Sequence, residues 1–144
     1  MSKILGKELL PKIMDFINSE KLITVVATVD KNDNPNTTPI GFVKATDSKT
    51  LRLAFLKIHD SLQNIKENGR MCVSILGEDN IAISIKGRGT IIRDVEDYSI
   101  VEMKIDEIKS DRSPHLKVVK GIAWKVLSEK DLVHEKKLFN ELNK

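Results

Sequence analysis

The sequence predicts a mainly β protein in which six antiparallel strands close into a small barrel with short flanking helices. Three observations carry that prediction. Runs rich in β-branched side chains, such as LITVVATV at 22–29 and IAISIKGRGTII at 81–92, alternate in polarity and are parted by turn formers at hairpin spacing. Two glycines, Gly87 and Gly89, interrupt the longest such run, as they do where a barrel strand bulges or bends. The helices that would have to alternate with strands in a parallel doubly wound sheet are missing.

The elements follow in order. ELLPKIMDFINSE at 8–20 spaces Leu9, Leu10, Ile13, Met14, Phe16 and Ile17 as one face of a helix, with Pro11 tolerated near its first turn. LITVVATV is the first strand, and DKNDNP after it is a cluster of turn formers. NTTPIGFVKAT at 36–46 returns as a second strand, which Pro39 confines to a sheet edge or forces to bend, since proline cannot donate to a ladder. LRLAFL at 51–56 is the third strand. A short helix follows in HDSLQNIKEN, with Asp60 at its capping position. MCVSIL at 71–76 and the run at 81–92 form a hairpin around GEDN. VEDYSIVEMKIDEIK at 95–109 sets Ile100, Val101, Met103, Ile105 and Ile108 among charged residues, which predicts a surface helix ended by DRSPH. GIAWKVL at 121–127 predicts the last strand. The tail at 128–144 carries Leu132, Leu138, Phe139 and Leu142 and can form a short amphipathic helix. Residues 1–144 read as one domain, with neither internal repeat nor low-complexity linker.

Composition narrows the function classes. Lys and Arg number 24 against 21 acids, a net of +3 spread along the chain, and the chain holds one Trp, one Tyr and four Phe. That is poor equipment for nucleic acid, which wants clustered cations with exposed aromatics. A single cysteine, Cys72, excludes an internal disulfide framework and a cysteine-rich zinc site, and its apolar neighbours mark it as a buried, inert thiol. No run is apolar enough to span a bilayer, and MSKILGKELL lacks a signal-peptide core, so the expectation is a soluble cytoplasmic protein. His59, His115 and His134 stand in unrelated contexts without metal-ligand spacing, so no metal site is expected. KGRG at 86–89 lacks the following helix of a phosphate loop and reads as a strand bend. No catalytic acid or base declares itself.

One stretch raises a question of chemistry. LKIHDSLQNIKEN at 56–68 takes the chain from a strand into a helix, and the unpaired N–H groups of a helix start favour anions. The residues allow two readings, a phosphate dock or only a well-capped helix.

This stretch, with LITVVATVDKNDNPNTTP before it and ISIKGRGTIIRD after it, resembles the pyridoxamine 5′-phosphate oxidase-like split-barrel family of FMN-binding proteins, and in size its small FMN-binding and flavoredoxin-like members. The resemblance spans roughly residues 8–130. It implies a split barrel, a homodimer with the flavin cleft between subunits, non-covalent FMN, and redox chemistry as an oxidoreductase or electron carrier. It also implies site residues: Ser61 and the helix start for the phosphate, with His59 and Asn64 beside them, and Thr38, Pro39, Ile40, Ala54, Phe55, Leu56 and Lys57 along the ring. The family sets a Lys or Arg in the bend before this helix, where Asp60 stands here, and some members have an Arg at the place of Thr38. At about 4 Å the repulsion between a carboxylate and a phosphate is on the order of 1 to 4 kcal/mol, or one to three decades of affinity. Asp60 therefore supports an alternative: a flavin-free split barrel that binds another small ligand such as haem, or a protein partner.

Overall fold

The computed structural model describes residues 3–144. Eight strands and three helices follow in the order β1 (Lys3–Gly6), α1 (Pro11–Ile17), β2 (Thr24–Val29), β3 (Pro35–Ile40), β4 (Val43–Asp47), β5 (Thr50–Leu56), α2 (Asp60–Asn68), β6 (Arg70–Gly77), β7 (Ile81–Val95), β8 (Tyr98–Ser110) and α3 (Glu129–Leu142). The fold is mainly β, and every strand pairing is antiparallel. The sheet runs β3-β2-β6-β7-β8-β5-β4, with β1 added beside β8. β3 comes back near β5, so the sheet curls into a barrel whose end α2 crosses.

The barrel interior is built by alternation. Val26 of β2, Leu51, Leu53 and Phe55 of β5, Val73 and Ile75 of β6, Ile85 of β7, and Val101 and Met103 of β8 are all fully buried. Burying side chains of this size is worth roughly 1.5–3 kcal/mol each, which makes this interior the main source of stability. α1 closes a rim of the barrel with Ile17, and Leu9, Ile13, Met14 and Phe16 pack beside it. α3 covers the outside of β4 and β5: Phe139 and Leu142 meet Ala54, Ile100, Phe42, Val95 and Tyr98.

Four sequence expectations change. The segment at 95–109 is not a helix but most of β8, paired with β5 and β7 along its length. A bulge at Asp106, where Lys86↔Glu107 is followed by Gly87↔Ile105, turns both Ile105 and Ile108 inward and mimics helical spacing. The return strand at 36–46 is two strands, because the chain leaves the ladder with β2 at Ile40 and pairs with β5 from Val43. GIAWKVL forms no strand: 111–127 runs irregularly past the β6–β7 turn, tied by Val118 N–H to Asn80 Oδ1 at 3.0 Å and Asn80 N–H to Val118 O at 3.1 Å. Both edges of β6 are already taken by β2 and β7, so that segment finds no ladder. With the strand at 121–127 lost, β8 and β1 added, and the return strand divided, the count goes from six strands to eight. The β6–β7 hairpin forms as expected, and its turn sets Asp79 and Asn80 at φ +60°, whereas Cys72 on β6 is half-buried rather than buried. α3 forms in the tail, capped by the Ser128 hydroxyl, which accepts from Asp131 N–H at 3.2 Å.

Candidate functional site

α2 divides two different surroundings. Its sequence alternates inward Ser61, Leu62, Asn64 and Ile65 with outward Asp60, Gln63, Lys66 and Glu67, so one side is bolted to the barrel end. The cap lies one residue earlier than expected. His59 holds the capping position because its N–H already bonds Leu56 O at 3.0 Å, while Asp60 is the first helical residue and makes no side-chain cap. Gly69 ends the helix in the left-handed region, φ +71°, with its N–H on Ile65 O.

Toward β2 and β3, α2 meets a closed polar network. Ser61 is completely buried; its Oγ lies 2.8 Å from Thr38 Oγ1 and accepts from Asn36 Nδ2 at 3.2 Å. Asn64 Nδ2 donates to Thr28 Oγ1 at 3.0 Å. Three of the expected site residues, Thr38, Ser61 and Asn64, thus meet here and satisfy each other or their neighbours. A shallow hollow outside this network is bordered by Asp30, Lys31, Asn36, Asp60 and Glu67.

Toward β7, α2 leaves a cleft of about 970 Å³. Leu62, Ile65 and Ile91 supply apolar walls; Lys57, His59, Lys66, Arg88, Asp94 and Ser99 supply polar ones. Lys57 Nζ donates to Glu96 O at 2.7 Å and lies 3.5 Å from Asp94. The Ser99 hydroxyl, donating to Asp94 at 2.7 Å, and then Lys57 hold the Asp94 carboxyl below its ordinary value. His59 Nδ1 is buried without a hydrogen-bond partner, one of two such side-chain atoms among the described residues. The turn at Glu96 (φ +52°) also receives α3, since its carboxylate pairs with Lys137 and lies 3.7 Å from His134.

Of the remaining expected residues, Lys57 and His59 border this cleft. Ile40 and Phe55 point into the barrel core, Ala54 lies under α3, Leu56 is half-buried and Pro39 is exposed on edge strand β3. Sequence reasoning did not single out Arg88, Asp94 or Ser99 as site residues. The glycines around Arg88 were the available signal, since Gly89 N–H bonds Gly69 O at 2.7 Å and docks β7 on the end of α2. No group of His, Cys, Asp and Glu suited to a metal ion occurs among the described residues, and none of their helices is long and apolar enough to cross a membrane.

A family model described as pyridoxamine 5′-phosphate oxidase matches residues 9–125, most of the chain. The chain belongs to the pyridoxamine 5′-phosphate oxidase family. No curated protein matches it. Among solved structures it is similar to HupZ of group A Streptococcus (17% identity, 78% of this chain and 100% of that one, TM-score 0.62). A putative pyridoxamine 5′-phosphate oxidase of Lactobacillus delbrueckii is similar at 19% identity, over 74% of this chain and 98% of that one, TM-score 0.61. An FMN-binding protein of Syntrophomonas wolfei is similar at 20% identity, over 69% and 83% of the two chains, TM-score 0.59. At these identities the likeness is one of fold, and the family match stops before α3.

Family membership raises the question of whether a flavin fits. The large cleft has the size and mixed lining of a cofactor site, and His59, whose Nδ1 is buried without a partner, borders it. The start of α2 suits a phosphate badly: the Ser61 hydroxyl is engaged and buried, and the exposed charge beside it is the Asp60 carboxylate. The residues present therefore fit a flavin's ring and polyol better than its phosphate.

Proposed function

We propose that this protein binds a flavin non-covalently at the bend between β5 and α2 and acts in the cytoplasm as a flavin-dependent oxidoreductase or electron carrier. FMN is the flavin named for the Syntrophomonas wolfei neighbour, and the family is defined by an oxidase. The observation that carries the reading is the coincidence of the family match with an open cleft at the expected bend, bordered by Lys57 and His59. A bound flavin supplies the redox chemistry, and the protein supplies grip and electrostatics. Leu62, Ile65 and Ile91 would exclude water from an aromatic ring; Lys57, already fixed by Glu96 and Asp94, would present a positive charge to its polar edge. We further propose a homodimer with the cleft completed by the second copy. Leu116, Val119, Ile122, Trp124 and Leu127 support it, since all five stand exposed along 116–127.

The test is an absorption spectrum of the purified chain before and after incubation with excess flavin and removal of the unbound excess. A retained flavin band is expected, together with a dimer in analytical ultracentrifugation. A colourless protein that retains neither FMN nor riboflavin would overturn the reading. The closed Ser61–Thr38 pair would then favour the second one, a flavin-free barrel that binds another small ligand or a protein.

A further inference from the structure

We infer that Asp60 sets the charge of the ligand's tail, so that this protein takes riboflavin, with its neutral polyol, in preference to phosphorylated FMN. The inference rests on the flavin reading and adds which flavin. Asp60 is exposed, has no hydrogen-bond or ion-pair partner in the described chain, and borders both the large cleft and the smaller hollow on the other flank of α2. A tail that reaches the start of α2 from either side meets it.

Nothing nearby neutralises that carboxylate. In the smaller hollow Asp60 is joined by Asp30 and Glu67 against one amine, Lys31. Asp30 keeps its charge firmly, because it accepts the backbone N–H groups of Asn34 and Asn32. On the cleft side Lys57 is committed to Glu96 and Asp94. Arg88 reaches Asn68 O at 3.4 Å, at the far end of the helix. Lys66 has no fixed partner, but six residues of helix separate it from Asp60, about 9 Å along the axis. The hydroxyl best placed to donate to a phosphate, Ser61 Oγ, is buried in its contacts with Thr38 and Asn36. Asp60 itself answers the positive end of the helix dipole, the attraction an incoming phosphate would otherwise use. Polyol hydroxyls are donors as well as acceptors, and a carboxylate only accepts, so the same residue that repels a dianion can receive a ribityl tail.

Fluorescence-quenching titrations of the full chain with riboflavin and with FMN test this, in the wild type and in Asp60→Asn, with thermal melts confirming that both are folded. The wild type should bind riboflavin at least about tenfold more tightly than FMN, a ratio that one uncompensated charge produces. Asp60→Asn should close most of the gap by tightening FMN about tenfold while leaving riboflavin within twofold. Asp60→Ser should do the same, and added salt should narrow the wild-type gap. FMN binding to the wild type as tightly as riboflavin, or a gap that Asp60→Asn and Asp60→Ser leave unchanged, would overturn the assignment while the flavin reading stands. Binding of neither flavin would bring down both.

Discussion

The two flanks of α2 are made from the same nine-residue helix and solve opposite problems. Against β2 and β3 every buried polar side chain has found another: Ser61 with Thr38 and Asn36, Asn64 with Thr28. Toward β7 the helix is docked only at its far end, by Gly89 N–H on Gly69 O, and beside that contact a cleft stays open, bordered by Lys57 and His59. Buried polar groups are tolerated only when paired, so the closed flank is organised as structure. The open flank presents apolar Leu62, Ile65 and Ile91 beside charged Lys57, Lys66 and Arg88, a mixed lining that suits a ligand.

The largest effect that can break this contrast lies on the closed flank. Ser61→Ala strands the Thr38 hydroxyl and the Asn36 amide and should lower unfolding free energy by about 1–3 kcal/mol in urea titrations. A double-mutant cycle with Thr38→Val should show coupling between the two, because the pair is direct. If Ser61→Ala is neutral, the closed flank is not a satisfied network. A smaller effect of opposite sign belongs to the open flank. His59 holds the cap position with extended backbone (φ −75°, ψ 132°) but no side-chain cap. His59→Asn should therefore stabilise by about 0.5–1 kcal/mol while weakening any ligand at the cleft, measured by the same titrations.

The smallest effect extends the contrast to the other orphan, Glu135 Oε2. Burial pushes the Glu135 carboxyl up, and the charge of Glu20 adds to it. A carboxyl raised in the folded state leaves stability whole below its ordinary value of 4.5 and takes stability away as pH rises through the folded value. Glu135→Gln should thus raise Tm near pH 7 by roughly 1–3 °C, with the gain vanishing below pH 4. An equal gain at both pH values would mean that packing, not charge, is responsible.

Much of the barrel was legible because β2 and β6 alternate in burial, β5 and the start of β7 are strongly apolar, and turn formers part these runs. β8 was not, for two physical reasons. Its outer face is apolar at Ile100 because α3 covers it, and its inner face loses register at the Asp106 bulge. Both spoil a period of two, and neither neighbour is visible locally. The site was legible in its bend: Lys57 and His59 border the cleft, and Ser61 sits between cleft-lining Asp60 and Leu62 but faces Thr38 on the other flank. It was illegible across the sheet, since Arg88, Asp94 and Ser99 reach the cleft only through strand pairing and the β7–β8 turn. Ala54 shows the same blindness in reverse, because nothing near it announces that a helix 75 or more residues onward will lie on top of it.

The turn at Glu96 joins two distant parts of the molecule through one residue. Its carbonyl holds the cleft's Lys57, while its carboxylate holds Lys137 of α3. Thermodynamic linkage is reciprocal, so to the extent that α3's hold on Glu96 helps fix Lys57 for a ligand, the bound ligand strengthens the seat of α3 equally. The expected sign of such coupling is slower deuterium uptake along Glu129–Leu142, a helix beyond the matched family region, when the cleft fills.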